Sequence, residues 1–111
     1  MSREETLQEI KNEVRDNPIM VYMKGTPDFP QCGFSNRVVQ IFKQLGVPFE
    51  ARDVLKDPDF RYILQDYSEW PTIPQVFING DLIGGSDICM EMYQNGELQE
   101  KVKEATASTA E

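Results

Sequence analysis

The order of the apolar segments is the feature that most restricts how this chain can fold. Ile19–Met23 is a short continuous apolar run, which predicts a buried strand, and Phe49–Val54 predicts a second strand. Between them, Phe34 to Leu45 carries apolar residues at helical spacing and ends at Gly46, a natural helix stop. A strand, a helix and a second strand in this order predict a parallel βαβ unit.

A hairpin signal follows this unit. Asn79-Gly80 separates Gln75–Ile78 from Leu82-Ile83 and predicts two antiparallel strands joined by a tight turn. Helical patterns fill the remaining segments, at residues 4–16, after Asp57-Pro58, from Ser86 to Gly96, and around Leu98 and Val102. We therefore expect an α/β fold with a four-stranded mixed sheet flanked by about five helices. The small, polar residues 105–111 predict a frayed tail.

Composition narrows the possible functions. A chain of 111 residues fits one domain, residues 1–111, and its formal net charge of −8 disfavours nucleic acid as a partner. No stretch approaches the ~20 apolar residues of a membrane span, and the first 18 residues show no signal-peptide pattern. We therefore expect a cytoplasmic protein without a membrane partner. The absence of histidine excludes histidine-based triads and metal sites.

The sulfur chemistry centres on Cys32-Gly33-Phe34-Ser35, at the transition from the first strand to a helix. A cysteine at a helix start lies at the positive end of the helix dipole, which favours the reactive thiolate. Ser35 occupies the position at which a resolving cysteine would complete a CxxC pair. Any two-thiol chemistry therefore needs a second thiol from elsewhere. The alternative is a buried structural cysteine, and for Cys89 we expect packing against the sheet.

Three separated motifs resemble one known family, the CGFS-type monothiol glutaredoxins. They are Lys24-Gly25-Thr26-Pro27 with Cys32-Gly33-Phe34-Ser35, then Trp70 to Phe77, and then Gly84-Gly85-Ser86-Asp87. The resemblance covers residues 5–103 and implies a thioredoxin-like fold. One departure is Ser86, which stands where the family often has cysteine; the internal disulfide of some members is therefore not expected to form here.

The resemblance also implies a glutathione site. Lys24 and Arg61 would contact the glycine carboxylate, and Ile73-Pro74 would be a cis bond whose backbone pairs with the cysteinyl unit of glutathione. At the other end, Gly85 and Ser86 offer helix-start amides to a carboxylate, and Asp87 can accept from an ammonium group.

Thr72 can add a hydroxyl contact to glutathione, and Arg37 is a weaker candidate for the same site. Each residue has a plainer alternative. Lys24, Arg61 and Arg37 could be solvated surface cations, Pro74 an ordinary trans proline, Ser86 and Asp87 helix caps, and Trp70 core packing rather than a lid.

The function that the resemblance implies is iron–sulfur cluster assembly or transfer and iron homeostasis. Four thiolates usually hold a [2Fe–2S] cluster, so Cys32 of two chains and two glutathiones would make a bridged homodimer. BolA-like proteins and apo iron–sulfur proteins would be its partners. The alternative is an enzyme, a glutathione-dependent thiol–disulfide oxidoreductase using the same groove. A third hypothesis is an interaction module with an inert thiol.

Overall fold

The computed structural model describes residues 2–109 and contains one four-stranded sheet between two layers of helices. The strands, in chain order, are β1 (Ile19–Met23), β2 (Glu50–Asp53), β3 (Gln75–Ile78) and β4 (Asp81–Gly84). The helices are α1 (Arg3–Asp16), α2 (Gly33–Leu45), α3 (Pro58–Ser68), α4 (Ser86–Asn95) and α5 (Glu97–Thr109). The predicted fold class is confirmed.

The sheet has the strand order β2-β1-β3-β4, with β1 and β2 parallel and the other pairs antiparallel. The turn between β3 and β4 is the predicted one, since Asn79 (φ 54°) and Gly80 (φ 83°) both have the positive φ of a tight hairpin. All five residues of β1 are buried, because helices cover both faces of this central strand.

Alternate residues of β1 enter two separate cores. Ile19, Val21 and Met23 pack with α2, α4 and α5, whereas Met20 and Tyr22 pack with α1 and α3. This alternation follows from the two-residue period of a strand. Tyr22 is fully buried, and its hydroxyl donates a 2.7 Å hydrogen bond to Glu13 on α1.

The local sequence signals account for the helix ends. Asp57 accepts a hydrogen bond from the Asp59 amide (3.1 Å), and Pro58 occupies the first turn of α3. Gly46 and Gly96 end α2 and α4 in the left-handed conformation, as glycine commonly does.

Two sequence expectations need correction. The second strand is shorter than Phe49–Val54, because Val54 begins a 3₁₀ turn (Val54–Lys56) capped by the Asp53 side chain. The prediction of a frayed tail is wrong for residues 105–109. Helix α5 continues to Thr109, and Ala105 is buried in the core with Leu98 and Val102. Residues 110–111 of the predicted tail lie outside the described residues. No described helix is both long and apolar enough to cross a membrane.

Candidate functional site

The topology brings distant segments together at one edge of the sheet. Because β3 is antiparallel to both neighbours, its amino end lies beside the carboxyl ends of β1 and β4, as the pairs Tyr22–Gln75 and Val76–Gly84 show. A groove of about 410 Å³ opens at this edge. It is lined by Lys24, Cys32, Phe34, Arg61, Trp70, Thr72, Ile73, Pro74, Gly85, Ser86, Asp87 and Ile88.

Cys32 is the N-cap residue of α2 and is partly exposed to the groove. The pKa of its thiol lies below the usual value, chiefly because the backbone amide of Ser35 stabilises the charged sulfur. The Phe34 amide and the positive charge of Lys24 lower it further, against the opposing effect of partial burial. The predicted position at a helix start is therefore confirmed, and the thiolate is the favoured nucleophile.

Ser35 supports the backbone that carries Cys32. Its side chain is fully buried, and its hydroxyl oxygen accepts a hydrogen bond from the Lys24 amide at 3.1 Å. Ser35, which occupies the position of a resolving cysteine, thus links the start of α2 to the end of β1. This fixes the backbone on both sides of the loop that carries Cys32.

Lys24 and Arg61 bring two cations to the same groove, from the end of β1 and from α3 respectively. Both are partly exposed. Two cationic donors directed into one groove can hold a carboxylate, and the guanidinium can do so with two parallel hydrogen bonds. Their common place in the groove was predicted from the family resemblance, although their positions differ by 37 in the sequence.

Ile73-Pro74 precedes β3, and its peptide bond is cis, as predicted. Among residues 2–109, the main chain of Ile73 has no hydrogen-bond partner. The amide and carbonyl of this residue are therefore available to an extended peptide at the groove. Thr72 is exposed beside them, and its carbonyl accepts from the buried side chain of Gln75 at 3.3 Å.

The start of α4 forms the opposite wall. Gly85 is the N-cap residue and provides no side-chain cap, so the first amides of α4 remain available to an anion. The alternative interpretation, helix capping by Ser86 and Asp87, is wrong: Gly85 is the N-cap, and the buried Ser86 hydroxyl has no partner among the described residues. Asp87 is exposed and pairs with Arg37 at 3.2 Å. Arg37 therefore reaches the site through Asp87 and does not line the groove.

Two residues that line the groove, Phe34 and Ile88, were not predicted from the sequence. Phe34 lies inside the Cys32 motif and is 57% exposed, which is unusual for a large apolar side chain. Its signal in the sequence was its position next to a reactive cysteine. Trp70 does line the groove, and its buried indole N–H has no described partner. The lid and packing interpretations of Trp70 therefore both retain support.

Cys89 lies in the core between the sheet and helices α2, α4 and α5. Its side chain is fully buried, and burial raises the pKa of its thiol to about 12. Both cysteines are free thiols. The expected packing against the sheet is confirmed, and the groove contains the Cys32 thiol without a second one.

The fold and the site together define a thioredoxin-like protein with a single reactive thiol in its groove. The glutaredoxin family profile matches residues 19–83. A monothiol glutaredoxin described as ycf64-like, from Synechocystis sp. (strain ATCC 27184 / PCC 6803 / Kazusa), is 58% identical over 104 residues, covering 94% of this chain and 97% of that protein. Glutaredoxin 4 of Escherichia coli (strain K12) is 47% identical over 102 residues, covering 92% and 89%. The chain belongs to the glutaredoxin family and is a monothiol member of it.

Solved structures agree with this assignment. The solution structure of reduced poplar apo GrxS14 superposes with a TM-score of 0.79 at 47% identity, covering 94% of this chain and 93% of that one. The crystal structure of the buckwheat glutaredoxin–glutathione complex gives 0.83 at 30% identity, covering 95% and 94%.

Proposed function

We propose that this monothiol glutaredoxin binds glutathione in the groove and, as a homodimer, carries a bridging [2Fe–2S] cluster for assembly and transfer. The observation that carries the proposal is the groove itself. It combines one partly exposed thiol, Cys32, with the cations Lys24 and Arg61 and the carboxylate of Asp87. The protein would act in iron homeostasis in the cytoplasm, where thiols are kept reduced.

The chemistry of glutathione matches the polar groups of the groove. The tripeptide has a glycine carboxylate, which suits Lys24 and Arg61. Its γ-glutamyl end has a carboxylate and an ammonium group, which suit the uncapped amides of α4 and the side chain of Asp87. Its central backbone suits the unpaired main chain of Ile73. This arrangement would bring the ligand sulfur beside Cys32.

The cluster is a cargo that one chain cannot hold alone. Among the described residues no group of three or more His, Cys, Asp or Glu side chains could hold a metal ion. Cys89 is buried in the core, so Cys32 is the thiol that can reach a ligand at the surface. Two chains and two glutathiones together supply the four thiolates that such a cluster usually needs.

The proposed partners are a second copy of the chain, a BolA-like protein and apo iron–sulfur proteins. Support comes from the apolar surface around the thiol. Phe29 is 75% exposed and Phe34 is 57% exposed, on either side of Cys32 in the sequence. Exposed aromatic side chains next to a functional group are typical of protein contact sites.

Anaerobic reconstitution with iron, sulfide and glutathione tests the cluster proposal. The wild-type protein should yield a coloured species whose native mass fits two chains and two glutathiones, with two iron and two labile sulfide atoms. Cys32→Ser should remain colourless, whereas the core variant Cys89→Ala should be coloured. A Cys32→Ser protein that binds a cluster at full stoichiometry would disprove the proposal.

Thiol–disulfide exchange is a second candidate function, favoured by the lowered pKa of Cys32. The Cys32 thiolate would attack the glutathione sulfur of a mixed disulfide and release the protein thiolate. A second glutathione thiolate would then attack the Cys32 adduct, which regenerates Cys32 and forms oxidised glutathione. A turnover number similar to that of a dithiol glutaredoxin would make this the main function.

Isothermal titration with glutathione tests the step that both functions share. We expect binding to the wild-type protein and weaker binding to Lys24→Met and Arg61→Met, because each loses a cation. No heat of binding to the wild-type protein would instead support an interaction module with an inert thiol.

A further inference from the structure

The turn that follows β1 is tight, and its own backbone closes it. Gly25 has a φ of 88°, and a Cβ placed there would lie 2.5 Å from the Phe29 carbonyl oxygen and 2.7 Å from the Gln31 nitrogen. The Gln31 amide donates to the Lys24 carbonyl at 2.9 Å, which closes the loop before Cys32. Lys24 and Cys32 thus lie at the two ends of one tight loop.

The amides at the entrance of this loop donate to two acceptor side chains. The Lys24 amide donates to the Ser35 hydroxyl at 3.1 Å, and the Gly25 amide donates to Asp53 Oδ1 at 2.9 Å. Asp53 is 28 residues away in the chain, at the end of β2, where it is paired with Met23 in the parallel register. Its carboxylate therefore fixes the direction in which the chain leaves β1.

The same carboxylate oxygen holds the segment that leads to Arg61. The Leu55 amide also donates to Asp53 Oδ1 at 2.9 Å, which caps the 3₁₀ turn Val54–Lys56. Val54 and Phe60 are buried in one core cluster, so this turn and the first turn of α3 are packed together. One carboxylate oxygen thus joins the backbone next to Lys24 to the backbone that leads to Arg61.

We propose that Asp53 is a positioning residue that sets the separation of Lys24 and Arg61 and thereby the affinity of the groove for a ligand carboxylate. Asp53 does not line the groove, so it acts through the two cations. The ligand part of this proposal rests on the proposed function, with the glycine carboxylate of glutathione as the group recognised. Charged hydrogen bonds depend strongly on geometry, so a small displacement of either cation weakens carboxylate binding.

The test compares glutathione with its glycinamide, in which the terminal carboxylate is replaced by an uncharged amide. In Asp53→Ala the Gly25 and Leu55 amides lose their acceptor. We expect the dissociation constant for glutathione to rise about tenfold, equivalent to about 1.4 kcal/mol, and that for the glycinamide to change less than about twofold. Asp53→Asn retains an oxygen at the same place and should restore most of the preference for the carboxylate.

Asp57→Ala is the matched control, because it removes another carboxylate that caps a helix in the same segment but does not contact the Gly25 turn. It should lower thermal stability and keep the preference for glutathione over the glycinamide. Equal losses for both ligands in Asp53→Ala would mean general destabilisation and would overturn the proposal. So would an equal loss of preference in Asp57→Ala.

Hydrogen exchange in the ligand-free wild-type protein tests the Asp53 clamp without any variant or ligand. The clamp is the pair of hydrogen bonds that the Gly25 and Leu55 amides donate to the Asp53 carboxylate. The amides of Gly25 and Leu55 should exchange at least tenfold more slowly than the amide of the exposed Asp28, since donors in hydrogen bonds are protected. Exchange as fast as that of Asp28 would refute the clamp. A wild-type protein with protected amides that does not bind glutathione would refute the proposed function and leave the clamp standing.

Discussion

Replacing Ser35 by alanine separates two roles that this residue combines. Its buried hydroxyl accepts a 3.1 Å hydrogen bond from the Lys24 amide, whereas its own amide is the main cause of the lowered pKa of Cys32. The Ser35→Ala substitution removes the hydroxyl and keeps the amide. We therefore expect a clear loss of stability with little change in the Cys32 thiol.

The magnitude follows from the loss of one acceptor. An amide left without a partner in a partly buried site costs about 1–2 kcal/mol of unfolding free energy. For a domain of about this size, such a loss lowers the melting temperature by roughly 4–8 °C. The side chain of Ser35 is the smallest of the causes that lower the pKa of Cys32, so that pKa should rise only slightly and stay below the ordinary thiol value.

Two measurements check this prediction. Urea unfolding gives the change in free energy, and thiolate absorbance against pH gives the pKa of Cys32, with Cys32→Ser as the baseline. Ser86→Ala is a matched control for stability, because Ser86 also has a buried hydroxyl but one without a described partner; it should cost less than about 0.5 kcal/mol. In Ser35→Ala, a return of the Cys32 pKa to the ordinary thiol value, or unchanged stability, would refute the reasoning.

Three further outcomes follow from the structure. Gly25→Ala should destabilise the protein by more than about 2 kcal/mol in urea unfolding, because the new Cβ would press against the backbone of Phe29. A variant as stable as the wild-type protein would contradict this. Iodoacetamide should label Cys32 alone in the native protein and both cysteines after unfolding, which mass spectrometry would show. Stability should fall by roughly 1 kcal/mol per pH unit above about pH 9, since burial raises the folded pKa of Cys89 to about 12 and the unfolded thiol ionises first. Cys89→Ala should show a weaker pH dependence in urea unfolding, and an unchanged slope would be evidence against this cause.

Much of the fold could be predicted from the sequence because its local signals agree with its tertiary contacts. The apolar run of β1 is buried on both faces, and the Asn79-Gly80 turn has the backbone conformation that this pair favours. The signals failed where tertiary contacts decide the outcome. At the end of β2, the Asp53 side chain is held by the distant Gly25 amide as well as by Leu55, and α5 continues past the predicted start of the tail, where Ala105 is buried in the core.

The candidate site could be predicted in part, through motifs rather than through periodicity. The structure brings all the predicted groove residues except the weaker candidate Arg37 to one edge of the sheet. Individual hydrogen bonds and ion pairs between distant residues could not be predicted, because no local pattern marks them. The Asp53 bond to Gly25 and the Arg37 pair with Asp87 each join positions many residues apart, and both depend on the topology of the sheet.

The two cysteines show how burial divides the roles of chemically identical side chains. Cys32 is held at a helix start, where backbone amides and a nearby lysine stabilise the thiolate. Cys89 lies three residues after Ser86 on α4 but does not line the groove, and its side chain is buried in an apolar core that disfavours the charged form. Ser86 lines the groove and Cys89 does not, so an internal disulfide is not expected at this site. A disulfide at Cys32, and the cluster proposed above, would then take their second sulfur from another molecule.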